Sequence, residues 1–155
     1  MNQSTNSLAL QLGTALSQCG AKVTAAESCT GGGVAHAITA IAGSSAWFDC
    51  GFVTYANSAK HALLGVPQEV LANQGAVSES VVRYMAEGAA RVANADYAVA
   101  ISGIAGPGGG SDDKPVGTVW FAWRSPLGVS AKKYQLSGDR TAVREQAIKI
   151  SLQEL

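Results

Sequence analysis

The chain has 155 residues, 47% of them hydrophobic and 14% charged, enough apolar material for one core without metal or disulfide support. Eleven basic residues offset eleven acidic ones, so the composition shows no electrostatic pull toward nucleic acid or anionic lipid. Three cysteines without a CxxC pair and two isolated histidines speak against a disulfide framework and against a zinc site.

The opening MNQSTNSLALQLG has neither the basic start nor the apolar run of a signal peptide, and no later stretch approaches the roughly 20 apolar residues that span a bilayer. A cytoplasmic protein without membrane contact is expected. Leu8, Leu12, Ala15, Leu16 and Cys19 share one helical face, which Gly20 ends. Residues 22–26 read as a strand, and 31–42 as a helix carried by Val34, Ala37, Ile38 and Ile41. The aromatic and β-branched stretch 47–55, WFDCGFVTY, predicts a second strand with Gly51 at a bulge. Residues 57–64 form a short helix stopped by Gly65 and Pro67, and another turn or two follows over 68–73. Ser78 is the N-cap of a helix bearing Val81, Val82, Met85, Ala89 and Val92. Tyr97 to Ile101 is a buried strand, 116–123 and 129–136 are two more joined by a turn at 125–128, and a last helix starts near Thr141.

The order α-β-α-β-α-α-β-β-β-α mixes crossovers with hairpins. It predicts a three-layer α/β/α fold with a mixed sheet of about five strands, in one domain over 1–155.

Two glycine-rich stretches follow strand ends. In the first, AESCTGGG over 26–33, free N–H groups and the positive end of a helix suit an anion or an oxyanion. The same residues also make an ordinary helix cap, with Ser28 or Thr30 as the capping hydroxyl. The second, SGIAGPGGGSDDKPVG over 102–117, is neither a dinucleotide fingerprint nor a Walker loop. Its glycines fit a backbone that approaches a ligand, whereas Asp112 and Asp113 read as solvated, with nothing to complete a metal shell. Between them, Tyr55 ends a strand and Lys60 lies in the next helix. If the first two strands are neighbours, Ser28, Tyr55 and Lys60 converge on the crevice where α/β sheets bind ligands. A desolvated lysine can then serve a serine as general base. His36 and His61 lack an orienting acid and read as surface or packing residues; Cys29, beside a helix start, is the rival nucleophile. Arg140 and Arg144 lie one turn apart at the start of the last helix, where an arginine either solvates or meets an anion such as phosphate.

The segments TAAESCTGG, AGSSAWFDCGFVTYANSAK, LLGV, GAVS, ISGIAGPGGGS, KPVGTV and GDR occur in an order that closely resembles the CinA C-terminal domain family, over nearly the whole chain. The resemblance implies a five-stranded α/β/α domain and hydrolysis of the carboxamide of nicotinamide mononucleotide (NMN) to nicotinic acid mononucleotide and ammonia, with no metal or other cofactor. It places the family's serine on Ser28, its lysine on Lys60 and its tyrosine on Tyr55. Glu27, Thr30, Gly31, Gly32, Gly103, Ala105, Gly106 and Arg140 are the expected substrate contacts, the backbone near Thr30 to Gly32 holding the oxyanion. The family's larger N-terminal domain has no counterpart, so a stand-alone amidase that self-associates is expected. Gly33 departs from the bulky apolar residue anticipated there, a change expected to loosen the helix start or widen the pocket. An inactive nucleotide-binding module of the same fold is the competing expectation.

Overall fold

Six helices and five strands make up the chain in a computed structural model, which describes residues 3–155; Met1 and Asn2, where the leader reading begins, lie outside the described residues. The strands are β1 (Val23–Glu27), β2 (Phe52–Val53), β3 (Tyr97–Gly103), β4 (Thr118–Ser125) and β5 (Gly128–Gln135), in the spatial order β2-β1-β3-β4-β5. β1 runs parallel to β2 and β3, while β4 and β5 are antiparallel additions, so the sheet is mixed as expected.

The helices are α1 (Gln3–Cys19), α2 (Gly33–Thr39), α3 (Asn57–Leu64), α4 (Gln68–Gln74), α5 (Glu79–Ala93) and α6 (Arg140–Gln153). Strand alternation divides the core between two layers. Ala25, Val99, Ile101, Val119 and Phe121 face α1, α2 and α6, while Ala26, Ala100 and Ala122 face the other layer, where α3, α4 and α5 pack. The alanines on that second face are small, which lets α5 lie close across the sheet through Val81, Val82, Met85, Ala86 and Ala89. Ser78 caps α5 as anticipated, accepting the Val81 N–H.

Two elements differ from the sequence reading. The stretch 47–55 is not one strand: Trp47 turns into the core after a short 3-10 turn (Ser44–Ala46), Phe48 makes an isolated bridge to Val23, and only Phe52–Val53 joins the sheet. An edge segment has one neighbour to pair with, and Asp49 leaves the ladder to bind Lys22, 2.9 Å away. The second helix starts at Gly33, not Gly31, because Gly31 and Gly32 take φ values of 58° and 100°, outside the right-handed helix. Among the described residues no helix is long and apolar enough to cross a membrane.

Candidate active site

The C-terminal ends of β1 and β3 open onto a cleft of about 200 Å³ lined by Ser28, Cys29, Tyr55, Lys60, Ser102 and Arg140, with Ala76, Val77, Gly103 and Ala105 completing it. Ser28 is the first residue past β1. Its N–H donates to the Ile101 carbonyl at 3.0 Å, which continues the parallel ladder and locks the turn to the sheet. The chain then folds back sharply: Gly31 donates to the Ser28 carbonyl and Gly33 to that of Thr30.

Lys60 rises from α3 and is only 1% exposed. Its Nζ lies 3.0 Å from Ser28 Oγ, 2.8 Å from the Thr54 carbonyl and 3.1 Å from the Tyr55 carbonyl. Burial pushes the amine down from 10.5 to about 8, with the Cys29 sulfur acting weakly in the other direction. Among the described residues no carboxylate pairs with it. Two backbone carbonyls match the two N–H bonds of a neutral amine, leaving the lone pair for the Ser28 hydroxyl. The arrangement is a buried amine, lowered toward its neutral form, in contact with a serine hydroxyl.

Cys29 is buried beside this pair, and burial pushes its thiol up to about 11 despite N–H groups of its own residue and of Gly103 nearby. A neutral thiol is a poor nucleophile, so the helix start does not activate it.

Two charged residues build the turn from behind. Glu27 is fully buried and its carboxylate accepts the Val34 N–H at 2.8 Å and the Ala35 N–H at 3.0 Å, capping α2 from the preceding strand. Arg144, from α6, donates through Nε to the Cys29 carbonyl at 3.0 Å and through its guanidinium to that of Thr30 at 3.4 Å. Every carbonyl from Ser28 to Thr30 is therefore bonded.

A family model for the CinA C-terminal domain matches residues 5–155. The chain belongs to the CinA C-terminal domain family. It is 60% identical to the nicotinamide-nucleotide amidohydrolase PncC of Escherichia coli K12 over 149 residues, covering 96% of this chain and 90% of that protein. The Pseudomonas putida protein of the same name is 52% identical over 148 residues, covering 96% and 92%. The crystal structure of the competence/damage inducible protein CihA of Agrobacterium tumefaciens superposes with a TM-score of 0.97 at 44% identity, covering 99% and 94%.

Within this CinA domain the structure sorts the residues singled out from sequence. Ser28, Lys60, Tyr55, Gly103, Ala105 and Arg140 line one cleft. Tyr55 does so through its backbone: its carbonyl accepts from Lys60 Nζ, while the residue is 62% exposed and its hydroxyl lies 3.3 Å from Arg140. Glu27 is corrected from substrate contact to helix cap, since both its oxygens are occupied and no surface reaches it. Thr30, Gly31 and Gly32 shape the turn behind the cleft; Thr30 is 1% exposed and its hydroxyl is buried without a partner, while the Gly31 N–H is spent on the Ser28 carbonyl. Gly106 offers its carbonyl to Arg140 at 2.7 Å instead of to the cleft. Arg140 and Ala105 also border a second hollow of about 450 Å³, at the start of α6, where Asp139 caps the helix through the Ala142 N–H.

Gly33 does not loosen the helix. A side chain there would run into Ile148 of α6, which fills the space and allows the two helices to close behind the turn. Sequence reasoning missed Arg144 as a brace and missed Ala76, Val77 and Ser102 as lining. Arg144 was visible only as a neighbour of Arg140 on a helix face; its target lies 115 residues away. Among the described residues no cluster of histidine, cysteine or carboxylate is placed to hold a metal ion.

Proposed function

We propose that this protein hydrolyses the carboxamide of NMN to nicotinic acid mononucleotide and ammonia, with Ser28 as nucleophile and Lys60 as its base. The observation that carries this reading is the buried Lys60 Nζ held 3.0 Å from Ser28 Oγ in a chain 60% and 52% identical to two nicotinamide-nucleotide amidohydrolases. Ser28 Oγ bonds to the carboxamide carbon as its proton passes to Lys60 Nζ. The C–N bond of the tetrahedral intermediate then breaks, and the lysine returns the proton to the departing nitrogen, which leaves as ammonia. A water molecule attacks the ester, gives a proton to Lys60, and the ester C–O bond breaks; the lysine restores the proton to Ser28. The pyridinium ring withdraws electrons from the carbonyl, so the steps balance without a further cofactor.

Arg140, exposed at the rim between the cleft and the second hollow, is suited to the nucleotide's phosphate, with the loop from Gly103 alongside the ribose. Ammonia release from NMN by the wild-type protein, Ser28→Ala and Lys60→Ala tests the proposal. Turnover confined to the wild type supports it; full activity in either variant sinks it. NMN binding without turnover by the wild type would favour a non-catalytic nucleotide-binding module.

A further inference from the structure

Ser102 stands beside Ser28 at the ends of two adjacent parallel strands. β1 and β3 pair with Glu27 opposite Ile101, and the bond from the Ser28 N–H to the Ile101 carbonyl carries that register one residue further. Paired residues of neighbouring strands point to the same face. Ser28 therefore follows Ala26, and Ser102 follows Ala100, toward the layer from which α3 delivers Lys60. The spacing of strands puts this second hydroxyl about 5 Å across the sheet from the nucleophile.

Ser102 is 1% exposed, yet it lines the cleft, and among the described residues its hydroxyl has no hydrogen-bond partner. A buried hydroxyl left unbonded is destabilising, so one that faces a cleft is free for a molecule inside it. Lys60 is not available to it, because all three directions around Nζ are taken by Ser28, Thr54 and Tyr55. Nor do the turn's own donors all serve the substrate. The N–H groups of Ser28, Gly31 and Gly33 are bonded to carbonyls of the chain. The carbonyl oxygen of an amide bound over Ser28 thus lacks those backbone donors and meets a free hydroxyl on the same face.

We propose that Ser102 is a second catalytic hydroxyl, which donates a hydrogen bond to the carboxamide oxygen as Ser28 attacks and so stabilises the oxyanion. This assignment rests on the amidase reading above. A donor aimed at developing charge acts in the transition state, so its loss appears in kcat and spares KM. Because Ser102 does not touch Lys60, the pH midpoint of the reaction is independent of it.

Ammonia release from NMN is measured across pH with the full chain as wild type, Ser102→Ala and Ser102→Thr. Ser102→Ala is expected to lose about 10²-fold in kcat, the range found for single oxyanion donors, with KM within about 2-fold and the midpoint still near 8. Ser102→Thr, which keeps a donor, recovers most of the loss. Thermal unfolding is followed alongside; should Ser102→Ala fail to fold, Ser102→Cys preserves the volume with only a weak donor and must show the same kcat loss. Wild-type kcat in the variant that folds, a loss confined to KM, a displaced pH midpoint or no recovery with threonine overturns the assignment while leaving the amidase reading intact. A wild-type protein that releases no ammonia removes both.

Discussion

Lys60 reaches Ser28 across two secondary-structure elements, its Nζ 3.0 Å from the serine oxygen and its remaining contacts spent on the carbonyls of Thr54 and Tyr55. These carbonyls immediately precede Ala56, the N-cap of α3, so the same turn that launches the helix also aims its lysine. In the proposed mechanism the base is thus oriented by backbone, a role that an acid fills in Ser-His-Asp sites.

Activity is expected to rise with pH to a plateau, with a midpoint near 8, because burial lowers the Lys60 amine to about 8 and only its neutral form accepts a proton. Lys60→Arg, charged at every accessible pH, stays inactive throughout. A profile of kcat/KM against pH checks both statements.

The same titration appears in stability. Unfolded lysine holds its proton to about 10.5 and the native amine to about 8, so between these values the unfolded chain binds more protons and rising pH favours the fold. Relative to Lys60→Met, the wild type gains on the order of 3 kcal/mol from pH 8 to 10.5, and below pH 8 the full penalty stands. Denaturant unfolding of the two proteins over this range measures the difference.

Cys29 is expected to be silent. With the thiol pushed to about 11, it is protonated at neutral pH, whereas Cys19 and Cys50 are exposed. Iodoacetamide followed by peptide mass spectrometry labels the latter two first, and Cys29→Ser retains turnover within about 3-fold. Loss of turnover on that substitution would return the nucleophile to the thiol.

Removing Arg144 leaves the Cys29 carbonyl without its donor and the Thr30 carbonyl with Gly33 alone, and unpins the Ser28 turn from α6. Arg144→Ala is expected to lower stability by about 1–3 kcal/mol, the worth of hydrogen bonds to a charged donor, and to lower kcat at least about tenfold through misplacement of Ser28. Calorimetric melting and steady-state ammonia release read the two effects separately.

Glu27→Ala is the more damaging change behind the turn. It strips two N–H groups at the buried start of α2 of their only acceptor, at a cost of about 2–4 kcal/mol. Glu27→Gln keeps one acceptor and loses less. Because the carboxylate does not reach the cleft, a Glu27→Gln protein that remains folded binds NMN with near wild-type affinity, which calorimetry checks.

Element types and their order were legible in the amino-acid pattern, because local periodicity, Gly and Pro stops and the Ser78 cap are properties of neighbours in the chain. So were the identities of Ser28, Tyr55 and Lys60, as reactive or polar residues at strand and helix ends flanked by glycine stretches. Their convergence required the parallel pairing of β1 with β2 and β3, which is a long-range choice made by packing the alanine face against α5. The roles behind them followed from the same packing. Glu27 reads as a cleft acid beside a serine until burial turns it into a cap, and Arg144 reads as a surface charge until α6 crosses the turn. Burial also decided the chemistry, since water removed from around Lys60 lowers its amine while water removed from around Cys29 raises its thiol. A sequence records which groups can ionise; only the folded surroundings decide which of them is charged.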